Sequence, residues 1–253
     1  MAGHSKWAKV KHYKAVTDAK KGKVFSKLAK EITVACKHGG GDPGFNPRLR
    51  TILMKARAVN MPADNIERAI KKGTGELPGV SYEEVTYEGY APGGVALLVE
   101  VLTDNKNRIA AEIRNIFTKH GGHLAGVGAV KHLFHRKGQF LISKDQISED
   151  DLLAVALEAG AEDVQTHPEN HEVLTGPHQF EAVHKALEVK GVKPQSAEVT
   201  QLALTPVPVN DEKIARAILA LIEALEDHDD VQNVYSSEDI PDDVMEKVHA
   251  AAA

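Results

Sequence analysis

GQFLISKDQISEDDLLAVALEAG, residues 138–160, sets the reading of the fold. Its first six residues form a short apolar run beginning at a glycine, which reads as a strand. Ser148, followed three residues later by Asp151, is a capping box opening a helix that ends at Gly160. Beyond it, residues 163–166 and 171–174 read as two more strands. Phe180, Val183 and Leu187 then recur at helical spacing up to Gly191, and AEVTQLAL (197–204) supplies a last strand. The order β-α-β-β-α-β is that of a ferredoxin-like domain.

Working outward, YEEVTYEGY and GVALLVEVL (82–90 and 94–102) are two β-rich runs joined by Ala91-Pro92-Gly93-Gly94, a strong turn signal. Asp104 or Asn105 caps a following helix with Ile109, Ile113, Ile116 and Phe117 on one face, stopped at Gly121-Gly122. A further strand is expected around residues 130–134. Past the ferredoxin-like stretch, Thr205-Pro206-Val207-Pro208 is a stiff connector to an amphipathic helix with Ile214, Ile218, Leu221, Ile222 and Leu225, and then to a strand near 231–235. That remainder is too small to fold alone, so it should return to complete the 76–134 unit, with the ferredoxin-like unit as an insertion. Residues 241–253 read as a frayed helix or a disordered tail.

The N-terminal third is different in kind. Between residues 18 and 38, Phe25, Leu28, Ile32 and Cys36 share one helical face, and Lys20, Lys23, Lys27, Lys30 and Lys37 cluster opposite. HGGGDPG (38–44) breaks this helix. Asn46-Pro47 reads as an N-cap with proline at the first helical position. The next helix turns Leu49, Ile52, Leu53 and Ala56 inward, flanked by Arg48, Arg50, Lys55 and Arg57. A third begins near Pro62 and ends in Lys71-Lys72-Gly73, cations at the negative end of the helix dipole. The expected architecture is therefore α+β and multidomain: a basic three-helix bundle (1–75), an acidic α+β domain (76–134 plus 205–239), the inserted ferredoxin-like domain (135–204) and a C-terminal tail (240–253).

Charge follows the same division. The 253 residues carry a net charge of −5, yet residues 1–75 hold 17 basic and 5 acidic residues and residues 76–253 hold 14 and 31. A balance of +12 against −17 points to a polyanion-binding module on an acidic body. The opening MAGHSKWAKVKHYK adds rings to the cations: lysines neutralise phosphates, and Trp7 could stack on an unpaired base. The candidate nucleic-acid contacts are Lys6, Trp7, Lys9, Lys11, Lys14, Lys20, Lys23, Lys27, Lys30, Arg48, Arg50, Lys55, Arg57, Lys71 and Lys72.

Other chemistries find little support. GGGDPG lacks the lysine and the strand-to-helix setting of a P-loop. His120/His123 and His132/His135 have metal-like spacing, but residues three apart on a strand point to opposite faces. There is no nucleophile elbow, H-E-x-x-H or Walker motif, and Cys36 lies on an apolar helix face. The expectation is no enzyme activity, no metal and no cofactor. A single cysteine, no secretory h-region and no stretch of membrane-spanning length lead us to expect a cytoplasmic protein.

MAGHSKW (1–7), NPRLR (46–50), NMPADNIERAIKKG (60–73), YEGYAPGGVALLVE (87–100), LTDNKNR (102–108) and RKG (136–138) together resemble the YebC/PmpR family, whose mitochondrial relatives activate translation of a cytochrome oxidase subunit. The chain opens directly on the family's first motif, from which a bacterial-type cytoplasmic member is expected. The resemblance implies a helical N-terminal domain, an α+β domain and an inserted ferredoxin-like domain. It implies a regulator of gene expression, usually described as a probable transcriptional regulator binding DNA. Some members act instead on translation, relieving ribosomes stalled at proline runs, so the partner is DNA or structured RNA of the ribosome. A protein partner on the acidic domains is also conceivable. Ala91 and Ala129 depart from the family's Gly and Ser, and the family carries over no catalytic residues.

Overall fold

The computed structural model describes residues 21–250, and six of the candidate contacts (Lys6, Trp7, Lys9, Lys11, Lys14 and Lys20) lie outside the described residues. Within them the chain is a mixed α+β structure built on four hydrophobic clusters, the smallest formed by Ala96, Leu98, Val130 and Phe134. Helices α1 (Lys21–Gly39), α2 (Pro47–Ala58) and α3 (Ala63–Thr74) form the first unit. Leu28, Ile32 and Cys36 of α1 meet Leu49, Ile52 and Ala56 of α2 and Ala69 of α3 in a common core. Each fully buried aliphatic side chain of this kind is worth roughly 1.5–3 kcal/mol. The Asn46 carboxamide oxygen accepts the Leu49 N–H at 3.0 Å, and Pro47 fills the first helical position, so α2 starts where its cap dictates. At Gly73, α3 approaches α1 so closely that a Cβ would stand 2.5 Å from both the Thr33 carbonyl oxygen and the Cys36 Cβ. Only glycine permits that approach.

The second unit is a sheet of order β3-β1-β2-β9, from β1 (Glu83–Tyr90), β2 (Ala96–Thr103), β3 (His123–Leu124) and β9 (Val231–Ser236). The β1–β2 hairpin pairs Glu83 with Thr103 and Tyr90 with Ala96. The late strand β9 pairs antiparallel with β2, so the chain after the second sheet does return to the first. Helices α4 (Lys106–Lys119) and α7 (Glu212–Glu226) cover one face, where Leu97, Val99 and Val101 pack with Ile109, Ile113, Phe117, Ile218, Leu221 and Leu225. Asn105 and Asp211 cap these helices through their side-chain oxygens. Short strands β8 (Val207–Pro208) and β10 (Glu238–Asp239) pair in parallel.

Between the sheets, Glu88 organises the connecting loop. Its buried carboxylate accepts N–H groups from Gly128, Val130 and Lys131 at 2.7–2.8 Å. Burial pushes this carboxyl up, and the three N–H donors more than offset it, leaving it below the ordinary glutamate range.

The third unit has β4 (Phe134–Ser143), β5 (Ala161–Thr166), β6 (Asn170–Thr175) and β7 (Ser196–Ala203) in the order β5-β6-β4-β7, every neighbouring pair antiparallel. With α5 (Glu149–Glu158) and α6 (Phe180–Val189) packed on one face around Phe140, Val173, Leu152 and Leu187, this is the ferredoxin-like arrangement.

Two expectations need correction. Residues 130–133 are not a strand: Lys131–Leu133 is a 3-10 turn, and the strand begins at Phe134 and runs unbroken to Ser143. The Glu88 cradle holds the backbone of this segment in a loop. The segment expected as a frayed helix or a disordered tail is helical where it is described, and residues 251–253 lie outside the described residues. Helix α8 (Asp242–Ala250) buries Val244, Met245 and Val248 in the core shared with α7.

Candidate nucleic-acid interface

The lysine row on α1 faces the second unit. Helix α7 ends at Glu226, and its last carbonyls have no partner within the helix. Lys27 Nζ donates to the Glu226 carbonyl at 2.6 Å, and Lys23 Nζ to the Asp227 carbonyl at 3.1 Å. Lys30 Nζ donates to the Asp229 carbonyl at 2.9 Å. Lys23 also pairs with the Asp227 carboxylate at 2.9 Å and Lys30 with that of Asp230 at 2.7 Å. Lys27 thus caps the last carbonyl of α7, and Lys23 and Lys30 hold the C-cap and the turn that follows it. Burial lowers the Lys27 pKa, opposed by Glu226 and Asp229. Asp230 binds Arg108 Nη2 at 2.7 Å and the Thr103 hydroxyl at 3.0 Å as well, so the junction is a network.

Further along α1, Glu31 lies near Lys55 and Arg48 of α2 and Glu100 of β2. Burial raises its carboxyl above the ordinary range, Lys55 and Arg48 oppose that, and Glu100 adds to it. Tyr235 donates its hydroxyl to Glu100 Oε2 at 2.9 Å and is raised by burial and by Glu100.

Several other candidates lie at the ends of the helices that flank the α1–α2 loop. Arg48 pairs with Glu84 of β1. Arg50 grips Glu181 of α6 through two nitrogens, at 2.6 and 3.0 Å, and donates from a third to the Pro43 carbonyl at 3.0 Å. These are surface pairs, with side-chain exposures of 47% for Arg48 and 38% for Arg50. Solvent screens such pairs. Lys71 pairs with Glu67 one turn back at 2.6 Å. Lys72, which has no carboxylate partner among the described residues, lines a shallow cleft of about 260 Å³ with Lys37, Gly75 and Tyr82. Lys37 Nζ donates to the Ser81 hydroxyl at 2.7 Å. The loop packs on the last turn of α3, for a Cβ on Gly41 would touch Ile70 and Thr74. The structure therefore brings Arg48, Arg50, Lys71 and Lys72 toward one loop, together with Lys37 and His38. Arg57 lies at the far end of α2.

Sequence reasoning missed Phe45 at the head of this loop. It is 87% exposed, three and five residues before Arg48 and Arg50. The available signal was an aromatic residue in a glycine- and proline-rich turn, where no helical face could bury it.

Comparison with known proteins bears on what this surface serves. Residues 5–76 match the model of the TACO1/YebC protein N-terminal domain, and residues 82–237 that of the TACO1/YebC second and third domain. A "probable transcriptional regulatory protein" of Dictyoglomus turgidum is 57% identical over 249 residues, 98% of this chain and all of that protein. One of the same description from Opitutus terrae is 58% identical over 245 residues, 97% of this chain and 99% of that one. The crystal structure of a conserved hypothetical protein from Aquifex aeolicus superposes with a TM-score of 0.80 at 50% identity, covering 90% of this chain and 94% of that one. The chain belongs to the TACO1/YebC family, whose curated relatives carry the description of probable transcriptional regulators.

Proposed function

We propose that the protein is a non-enzymatic regulator of gene expression in the cytoplasm that acts by binding nucleic acid through its basic helical unit. The observation that carries this reading is the +12 balance of residues 1–75, combined with a loop around which cations of all three helices gather. The relatives' descriptions support a role in transcription, and DNA is the partner proposed for it. We further propose residues 1–75, 76–134 plus 205–239, and 135–204 as the functional units, the last two making protein contacts.

Of the candidate contacts, Arg48, Arg50, Lys71 and Lys72 are proposed to meet phosphates at the loop. Lys55 and Arg57 extend the surface along α2. Lys6, Trp7, Lys9, Lys11, Lys14 and Lys20 are proposed to extend it at the N-terminus. Lys23, Lys27 and Lys30 are proposed to serve the unit junction instead, because a phosphate would have to displace the α7 carbonyls from them.

A specific observation favours structured RNA as the second reading. The cations surround a loop bearing an exposed ring rather than lining a helix whose side chains could read base edges, and lysine positions on phosphate without reading sequence. The test is binding of the full chain across a salt series, with promoter fragments competing against random DNA and with ribosomes in a co-sedimentation arm. About six phosphate contacts give a log–log salt slope of roughly −4 to −5. A promoter preference of roughly a thousandfold or more establishes the transcriptional reading. Ribosome co-sedimentation without that preference establishes the translational one, and binding to neither removes both.

A further inference from the structure

Phe45 stands apart from the other phenylalanines of the chain. Phe117, Phe134, Phe140 and Phe180 are buried, and Phe25 packs on the helical core, whereas Phe45 is 87% exposed. The loop that carries it is nonetheless held firmly. Asn46, only 4% exposed, donates its carboxamide N–H groups to the carbonyls of Ala35 at 2.9 Å and Gly40 at 2.8 Å. Its oxygen caps α2. A Cβ on Gly39 would stand 2.7 Å from this carboxamide, so the glycine admits Asn46 into its socket. The backbone N–H groups of Phe45 and Asn46 both donate to the Asp42 carbonyl, at 3.2 and 3.0 Å, and Gly44 N–H donates to the Asp42 carboxylate at 2.7 Å. Arg50 fastens the Pro43 carbonyl. An apolar ring is thus presented to solvent on a backbone fixed from both sides.

The ring's surroundings narrow what it can meet. Cations come from the start of α2, where Arg48 and Arg50 follow the ring within five residues and Arg50 holds the Pro43 carbonyl of the same loop. An apolar socket on a protein would have to accept that rim along with the ring. A nucleic-acid strand offers both complements at once, a flat aromatic base and flanking phosphates. In a duplex the base faces are already stacked on their neighbours, so only an unpaired base can use the ring.

We propose that Phe45 is a stacking platform for an unpaired base of a bound strand, with the phosphates beside that base held by Arg48 and Arg50. This rests on the nucleic-acid-binding reading and specifies which form of nucleic acid it takes. The surface pairs of Arg48 with Glu84 and of Arg50 with Glu181 are weak enough to exchange for phosphate.

The test uses the full chain and three labelled probes in one buffer: a short single-stranded RNA, the DNA of the same sequence, and the corresponding DNA duplex. Stacking of one base is worth roughly 1–3 kcal/mol, so Phe45→Ala should weaken single-strand binding by roughly 5- to 150-fold at about 1.4 kcal/mol per factor of ten. Duplex binding should stay within about twofold of the wild type. Phe45→Trp should retain single-strand affinity, and Phe45→Leu, which keeps apolar bulk without a ring, should not. Equal losses on both single strands identify the base as the ligand, and a loss confined to RNA identifies an RNA strand as its source. Unchanged single-strand binding by Phe45→Ala, an equal loss on the duplex, or full rescue by Phe45→Leu overturns the proposal. If the wild-type chain binds none of the three probes, the nucleic-acid reading itself falls and takes this inference with it. Wild-type binding that Phe45→Ala leaves untouched removes this inference alone.

Discussion

The helical unit carries two groups of cations with opposite surroundings. On α1, Lys23, Lys27 and Lys30 meet carbonyls and carboxylates at the end of α7, 199 to 204 residues away in sequence. Around the α1–α2 loop, Arg48, Arg50 and Lys71 hold exposed pairs, and Lys72 has no carboxylate partner among the described residues. The residue types are similar and both groups follow from helical spacing. What differs is the neighbour. A helix C-terminus concentrates partial negative charge and unpaired carbonyls, and it converts a phosphate-like row of lysines into a joint between units. Positive charge therefore joins the units through one group, while the pairs of the other are exposed.

The comparison breaks most visibly at Asp230, which joins Lys30, Arg108 and Thr103 while being nearly buried, its side chain 8% exposed. Asp230→Ala leaves Lys30 in a site where its own side chain is 16% exposed. Removing one partner of a buried pair costs about 3–5 kcal/mol. Arg108 retains Asp104 and Glu112, so the expected loss is about 2–4 kcal/mol by urea unfolding, with nucleic-acid affinity unchanged. A loss below about 0.5 kcal/mol, the level of an ordinary surface change, would show that the junction does not rest on this residue.

The next test separates the groups by salt dependence. Replacing Lys37, Lys71 and Lys72 together by Gln should make the log–log salt slope shallower by roughly 2 to 3, since each phosphate contact contributes about 0.7 to 0.9. Replacing Lys23, Lys27 and Lys30 by Gln should leave the slope as it was and lower the unfolding midpoint. The reverse pattern would exchange the roles of the two surfaces.

The expectations that succeeded were those written locally in the chain. Asn46, Asn105 and Ser148 all cap the helices they precede, because a cap is decided within four residues. The β-α-β-β-α-β order was likewise legible, since each element carries its own periodicity. Helix α8 was misread although Val244, Met245 and Val248 have helical spacing. Nine residues are too few for a helix to persist unaided, and this one is held by a core the local pattern does not display. The strand expected over residues 130–134 failed for a similar reason: the Glu88 side chain that holds this segment in a loop lies about forty residues upstream. The site was legible only in part. Helical spacing identifies a lysine face, but it does not say whether that face meets solvent or the end of α7.

Acid should loosen the joint between units. Burial pushes the Asp230 carboxyl up, but Lys30, Thr103 and Arg108 more than offset this and leave it below the ordinary range. The unfolded chain then binds the proton more tightly, so stability rises with pH across the window. The contribution is complete above about pH 4, the ordinary aspartate value, and is lost as pH falls through the lower folded-state value. The stability difference between the wild type and Asp230→Asn should therefore shrink on acidification through that window. A difference that stays constant there would locate the acid-sensitive group elsewhere.

The smallest expected effect has the opposite sign and comes from Glu31, the α1 residue that follows Lys30. Glu31 faces Lys55 and Arg48 from α2, Glu100 from β2 and Lys27 from its own helix, with the raised Tyr235 hydroxyl bound to Glu100 nearby. Burial dominates, and the carboxyl sits above the ordinary glutamate range. The folded protein then holds this proton more tightly than the unfolded chain, so stability falls as pH rises from about 4.3, the ordinary value, through the folded-state value. At neutral pH an ionised Glu31 opposes folding even though three cations stand near it. Glu31→Gln should accordingly raise stability at neutral pH by about 0.5–1 kcal/mol, the scale of a typical optimised charge, and the gain should disappear below the ordinary glutamate value. Unfolding midpoints of the two proteins measured across that range decide the matter. Destabilisation by Glu31→Gln at neutral pH would mean that Lys55 and Arg48 outweigh burial, and that α1 joins its neighbours through an acid as well as through its lysines.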